Sequence, residues 1–315
     1  MKIIPLAFDS MGVRSMSTLC ITKDIIIHID PGVALGPSRY GLEPSNQEYE
    51  ALDLSRELIM EVCEKFAKVV IVTHYHYDHH PFPDDSEMYE RCFKGKFVIA
   101  KNILKDIHGS GKKRGRIFEK NIKNLANKIE WGDGREFKFV KTIVSISDAV
   151  WHGDVGSKVG KVIMVFVKRG KDSFLFGSDA QGLADPKALK WVIEKNPKFM
   201  ILDGYPTIFV GWKMSKKAFE NSKENLKKAL EETEVKTVIL EHHGIRDINY
   251  REKLKDVFEF AERLDKKILT AAEYLGIDNL FLEAWRKKIY QKEIKVDVEK
   301  YYKKLKKRIF ELIKK

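Results

Sequence analysis

The stretch Thr73–His80, THYHYDHH, decides how this chain is read. Four of its nine histidines, His74, His76, His79 and His80, fall within these residues, with Asp78 among them. Directly upstream, Lys68–Thr73 (KVVIVT) is short, β-branched and apolar, which predicts a strand. The cluster then lies in the loop at a strand's carboxyl end, where open α/β sheets carry their sites. Imidazole and carboxylate are the ligands of zinc and related cations, and histidines placed at random would seldom crowd so closely. A solvated histidine-rich turn is the competing reading.

Working outward, Ile3–Phe8, Met16–Thr22 and Asp24–Asp30 read as short strands, broken by Gly12 and by the Pro31-Gly32 turn. A Gly/Pro-rich loop over 36–48 leads into a helical pattern from Glu48 to Phe66. Beyond the histidines come a strand at Phe97–Ala100, a basic helical stretch to about residue 128, and strands at Phe137–Val140 and Thr142–Ser147. Val162–Lys168 and Ser173–Gly177 read as a hairpin, followed by a helix at Pro186–Glu194. Strands at Phe199–Asp203 and Thr237–Glu241 bracket a helix at Ser215–Glu232. From residue 249 onward the apolar residues Leu254, Val257, Phe258, Ala261, Leu264 and Ile268, then Trp285, Ile289, Tyr302, Leu305 and Ile309, recur at helical spacing. The expected organisation is a catalytic body over 1–248 and a basic helical C-terminal extension over 249–315 that packs on it.

At 315 residues and 43% hydrophobic content the chain can bury a full core. No apolar run reaches membrane-spanning length and the N-terminus has no signal-peptide pattern, so a cytoplasmic protein is expected. Cys20, Cys63 and Cys92 lack C-x-x-C spacing and suggest neither a disulfide framework nor a thiolate zinc site. The richness in Lys, Glu and Ile is the composition common in hyperthermophile proteins. The net charge of +12 is uneven: residues 286–315 carry +9 and residues 101–128 carry +7. These two stretches are the candidate nucleic-acid contacts, against the simpler reading of solvated helix faces. Gly109–Arg116 (GSGKKRGR) fails as a phosphate-cradling P-loop, since Lys113 stands where Ser or Thr is needed and no strand leads into it. Lys112, Lys113, Arg114 and Arg116 remain candidate contacts for an anionic substrate, against a solvated turn.

His74–His79 read H-x-H-x-D-H, and in this the chain resembles the metallo-β-lactamase superfamily, in particular an archaeal branch of predicted metal-dependent hydrolases. The resemblance implies an α/β fold, the four-layer αββα sandwich with its metals at one edge. It implies His74, His76 and His152 as ligands of one metal, Asp78, His79 and His242 as ligands of a second, and Asp179 as the bridge. His152 stands in Asp148–Gly156 (DAVWHGDVG) and Asp179 in Phe174–Gly182 (FLFGSDAQG). His243 competes with His242, and strand alternation favours His242 because only one of two neighbours can face the metals. Asp30 and Asp203 are the expected carboxylates behind the ligands, either of which could be a plain turn residue. His28 reads as packing and His108 as a loop residue.

The function implied is hydrolysis by a hydroxide shared between two divalent metal ions about 3.5 to 4 Å apart. Zinc is the expected metal, with iron or manganese as alternatives. Asp78, Asp179 and His243 are the expected catalytic residues, and His80 is a second candidate for the proton donor. The substrate would be a small or nucleotide-like molecule, a phosphodiester, ester or lactone. The alternatives are an iron-based redox enzyme on the same fold and a nucleic-acid-binding or nucleic-acid-processing protein; a homodimer through the C-terminal helices is a further expectation.

Overall fold

The computed structural model describes residues 1–314. In its first half, β1 (Lys2–Phe8), β2 (Met16–Ile21) and β3 (Ile26–Ile29) precede α1 (Asn46–Phe66) and β4 (Val69–Val72). Then follow α2 (Ser86–Phe93), β5 (Phe97–Ala100), α3 (Gly109–Ile122) and β6 (Lys128–Trp131). These six strands form one sheet in chain order, antiparallel from β1 to β3 and parallel from β3 to β6. Each parallel step needs a long crossover, and the helices supply it. The first of them, α1, starts at a capping box: Ser45 and Glu48 each bond the other's backbone N–H.

The second half runs β7 (Glu136–Phe139), β8 (Thr142–Ile146), β9 (Val150–Trp151), β10 (Lys161–Val162), β11 (Val165–Arg169), β12 (Asp172–Phe176), α4 (Pro186–Lys195), β13 (Phe199–Asp203), α5 (Lys216–Glu231) and β14 (Thr237–Glu241). After it come α6 (Tyr250–Lys253), α7 (Lys255–Arg263), β15 (Lys267–Leu269), α8 (Ala271–Leu275), α9 (Leu282–Tyr290) and α10 (Val298–Lys314). Seven strands make the second sheet, in the order β15-β14-β13-β12-β11-β8-β7, while β9 and β10 form a separate two-stranded ribbon.

Strand alternation shows how the layers stack. In β12, Phe174 and Phe176 join the core that also holds Ile71 and Val98 of the first sheet, whereas Leu175 packs with α4 and α5 residues such as Val192 and Leu226. Ile201 of β13 and Ile239 of β14 face the first sheet, and Met200, Leu202, Val238 and Leu240 face the helices. Both faces of the central strands are thus buried, which explains their continuous apolar runs. On the outer face of the first sheet, α1 is covered by α10, whose Tyr302, Leu305 and Ile309 are buried and whose Tyr302 hydroxyl lies 2.6 Å from Ser55 Oγ. The result is the αββα sandwich expected from the sequence.

Several local expectations change. β15 lies where a helix was expected: Lys267–Leu269 adds a parallel strand beside β14, inside the second sheet. The short elements α2, β6 and β9 had no sequence assignment. Gly109–Arg116 forms the first turns of α3, capped by the His108 side chain, so it is no turn and His108 is no plain loop residue. His28 is fully buried with its Nε2 2.7 Å from Ser17 Oγ, a packing role as expected. The three cysteines are free and buried. Among the described residues no helix is long and apolar enough to cross a membrane.

Candidate metal centre

The centre forms where the carboxyl ends of β4, β12 and β14 meet the ribbon of β9. Asp30, just after β3, ties down the start of the histidine loop: its Oδ1 accepts from the Thr73 backbone N–H at 2.7 Å and its Oδ2 from Thr73 Oγ1 at 2.6 Å. Beneath the loop, a Cβ on Gly32 would run into the backbone of His79 and His80, so only glycine fits this close approach. The loop itself turns tightly, with the His79 N–H donating to the His76 carbonyl at 3.0 Å. Gly177 plays the same part below Asp179, where a Cβ would meet Leu202 at 2.8 Å.

All seven residues picked out by the sequence come together. His74, His76, His152 and Asp179 offer ligand atoms within 4.8 Å of one another, as do Asp78, His79 and His242. Asp179 stands between the two groups. Its Oδ2 lies 3.0 Å from His152 Nε2 and 3.4 Å from His74 Nε2, and its Oδ1 lies 3.1 Å from His79 Nε2. On the far side His242 Nε2 is 3.4 Å from Asp78 Oδ2. A tetrahedral zinc shell with bonds of 2.0–2.1 Å has ligand atoms about 3.3 Å apart.

Hydrogen bonding makes the same case. The buried His79 Nε2, both nitrogens of His152 and both oxygens of Asp179 have no hydrogen-bond partner. Buried polar groups left unsatisfied are rare, and this concentration of lone pairs on one point suits a cation. Behind the cluster, carboxylates hold the opposite ring nitrogens: Asp30 at 2.8 Å from His79 Nδ1, Asp9 at 2.7 Å from His242 Nδ1 and Asp203 at 2.8 Å from His243 Nδ1. Each such bond holds the Nδ1 proton, so that Nε2 is the nitrogen that would lose its proton and turn a lone pair to a cation. Asp30 and Asp203 therefore stand behind ring nitrogens and are not mere turn residues.

The charges strain against one another. Burial opposes charge on His79, yet Asp179 and Asp30 lift its pKa well above the imidazole range. Burial and Arg246 oppose charge on His242, but Asp179 and Asp9 raise it to about 10. His76 is pushed down to about 4 by burial and by His152, and burial likewise holds His74 low. Burial also works against the Asp179 carboxylate, which the His79, His242 and His74 charges nevertheless hold well below its usual range. Some imidazoles must carry protons to balance the buried carboxylates, and divalent cations would take over that balance.

Two expectations about the histidines need revision. Alternation does not separate His242 from His243, because β14 has ended at Glu241 and His242 is left-handed at φ 60°. The kink lets both rings approach Asp179. What separates them is access: His242 is fully buried, while His243 lines the open cleft. His80, the second candidate proton donor, is buried against Tyr75 and Phe118 and does not line the cleft, and burial pushes its pKa down to about 3.

Sequence reasoning missed Asp9 and Arg246. Asp9 follows β1 as Asp30 follows β3, which was a usable signal, and its Oδ1 accepts from Arg246 Nε at 2.7 Å. Gln181 was also missed; it lines the cleft with Tyr77, Phe82 and Arg114. The cleft over the centre has a volume of about 860 Å³.

Fold and centre together define a metallo-β-lactamase-fold protein with a cluster able to hold metal. Solved structures agree on the fold: an isothiocyanate hydrolase from Delia radicum gut bacteria (TM-score 0.50, 16% identity, 86% of this chain and 95% of that one) is one such neighbour. Others are the diiron β-hydroxylase CmlA from Streptomyces venezuelae (0.51, 12%, 81% and 51%) and Zn(2+)-bound PqqB from Methylobacterium extorquens (0.50, 10%, 89% and 99%). No family model matches the chain. The chain belongs to the UPF0282 family: it is 41% identical to a UPF0282 protein of Korarchaeum cryptofilum over 92% of this chain and 95% of that one. It is also 41% identical to one of Pyrococcus furiosus, over 95% of each.

Proposed function

We propose that this protein is a metal-dependent hydrolase with a dinuclear centre, in which His74, His76 and His152 would hold one cation and Asp78, His79 and His242 the other, with Asp179 placed between them to serve both. The supporting observation is Asp179 itself, a buried carboxylate with both oxygens unpaired between two histidine groups at the floor of a cleft. Divalent cations bound there supply Lewis acidity and a water ionised near neutral pH, and the all-nitrogen-and-oxygen donor set suits zinc, with iron or manganese as alternatives.

The chain's own residues supply orientation and a proton. Asp30 and Asp9 lock the inner-facing tautomers of His79 and His242, so the ligand lone pairs are in place before substrate arrives. His243 is held through Nδ1 by Asp203, and burial and Arg246 keep its charged form disfavoured, so its Nε2 lone pair faces the cleft, placed to take the nucleophile's proton and pass it to a leaving oxygen. The fold is shared with redox proteins, so the hydrolytic reading rests on this site and not on the sandwich. The test is His243→Gln on a panel of phosphodiesters, esters and lactones. Metal content should stay that of the parent while kcat falls by roughly 10²–10⁴, most for poor leaving groups. An equal loss for good and poor leaving groups would remove His243 from the proton-donor role.

A further inference from the structure

We propose that the cleft selects substrates in which an anionic group, phosphate or carboxylate, adjoins a flat apolar portion, with Arg114 and Lys213 receiving the charge and Gln181 making a polar contact deeper in. This names the substrate class of the centre proposed above and rests on that reading.

Four cations line the cleft, and they are not alike. Arg14 is spent on Glu283, with two hydrogen bonds of 2.6 and 2.7 Å, and Arg246 is spent on Asp9 at 2.7 Å. The side chains of Arg114 and Lys213 have neither a carboxylate partner nor a hydrogen bond among the described residues. Each lies over aromatic rings instead. The Arg114 guanidinium is 4.9 Å from the Tyr77 ring centre, and Tyr77 stacks on Phe82 with centres 4.6 Å apart. Lys213 Nζ is 4.4 Å from the Trp212 ring and 5.5 Å from Phe209. A guanidinium held over a ring without a carboxylate partner keeps its N–H donors available for an oxyanion.

A solvated lysine on a loop is ordinary, and the case does not rest on it alone. Tyr77 sits between the ligand positions His76 and Asp78, so the Arg114 stack is fixed to the metal loop. Phe82, on the same wall, is 40% exposed, and Phe209, under Lys213, also lines the cleft; a large aromatic left open at a cleft invites a ligand. Gln181 lines the cleft at 6% exposure, and none of the side-chain hydrogen bonds among the described residues engages its amide. The amide lies in space that Gly153 leaves open, and a Cβ there would collide with its Oε1. The remaining acid of the cleft outside the centre, Asp154, is engaged by the Tyr205 hydroxyl at 2.9 Å. Charge, flat apolar surface and an unused amide thus converge on one ligand chemistry.

The test is calorimetric titration of the metal-loaded protein with phenyl phosphate, benzoate and the uncharged benzamide, with metal content measured alongside. Both anions should bind, benzamide at least roughly tenfold more weakly, and whichever anion binds tighter identifies phosphate or carboxylate as the source of the charge. Arg114→Met and Lys213→Met should each weaken anion binding by about tenfold, and Gln181→Leu should weaken binding of all three ligands. A double Arg114→Met, Lys213→Met variant that keeps its metal and binds phenyl phosphate as the parent does would overturn the inference and leave the hydrolase reading standing. A parent protein that takes up no metal would overturn the hydrolase reading instead.

Discussion

Asp30→Asn keeps the shape of the site and changes only which atoms carry protons. The amide oxygen would remain opposite the Thr73 N–H, now 2.7 Å from Oδ1, which puts the amide NH2 where Oδ2 meets His79 Nδ1 at 2.8 Å. An NH2 cannot accept, so His79 must present Nδ1 as the lone pair and move its proton to Nε2, the atom 3.1 Å from Asp179 Oδ1. That nitrogen then cannot bind a cation. Loss of a carboxylate behind a ligating histidine costs about 10–100-fold in metal affinity, or about 1.4–2.7 kcal/mol. Thr73 Oγ1 also lies 2.6 Å from Ser178 Oγ and keeps a partner, so the fold should survive. A chelator competition followed by elemental mass spectrometry should show one cation per chain weakened and the other largely retained. Unchanged affinity for both cations in a folded variant would refute the tautomer argument.

Further expectations follow from the same structure. Uptake of metal at pH 7 should release about two protons, because His79, raised well above its usual range, and His242, raised to about 10, are protonated without a cation and must be neutral to ligate. The dependence of binding enthalpy on buffer ionisation measures this, and zero release would contradict the charge pattern described. Arg286 is fully buried and bonds Glu48 at 2.7 Å together with the carbonyls of Gly36, Pro37 and Leu42. Arg286→Met strands Glu48 and should cost about 3–5 kcal/mol in chemical unfolding, whereas the Glu48→Gln, Arg286→Met pair should recover part of that loss.

The candidate ligands were legible where their spacing is local, and the others through the family resemblance. His74 to His79 sit on consecutive turns of one loop, and Asp179 and His242 each follow an apolar strand. The supporting residues were harder to see, since Asp9 meets His242 from 233 residues away in the sequence and no local pattern records that pairing. β15 read as helix because Ile268 fits helical spacing in a window where the helices α7 and α8 flank only three strand residues. Its strand conformation comes from the open edge of β14, a tertiary cause. Strand alternation could not decide between His242 and His243 for a similar reason: it holds only while the strand lasts, and the left-handed turn at His242 ends it. The basic stretches separated on folding. Lys101 is buried 2.5 Å from Asp133, Arg114 enters the cleft, and on α10 Lys303 and Lys306 pair with Glu299 and Glu61.

The most direct test of the central claim is the metal content of the purified protein and of its His76→Ala and Asp179→Ala variants by elemental mass spectrometry. The dinuclear reading predicts close to two divalent cations per parent chain and fewer in both variants, with His76→Ala retaining the cation held by Asp78, His79 and His242. A folded parent chain that holds no metal, and takes up none when zinc, manganese and iron are supplied, would contradict it.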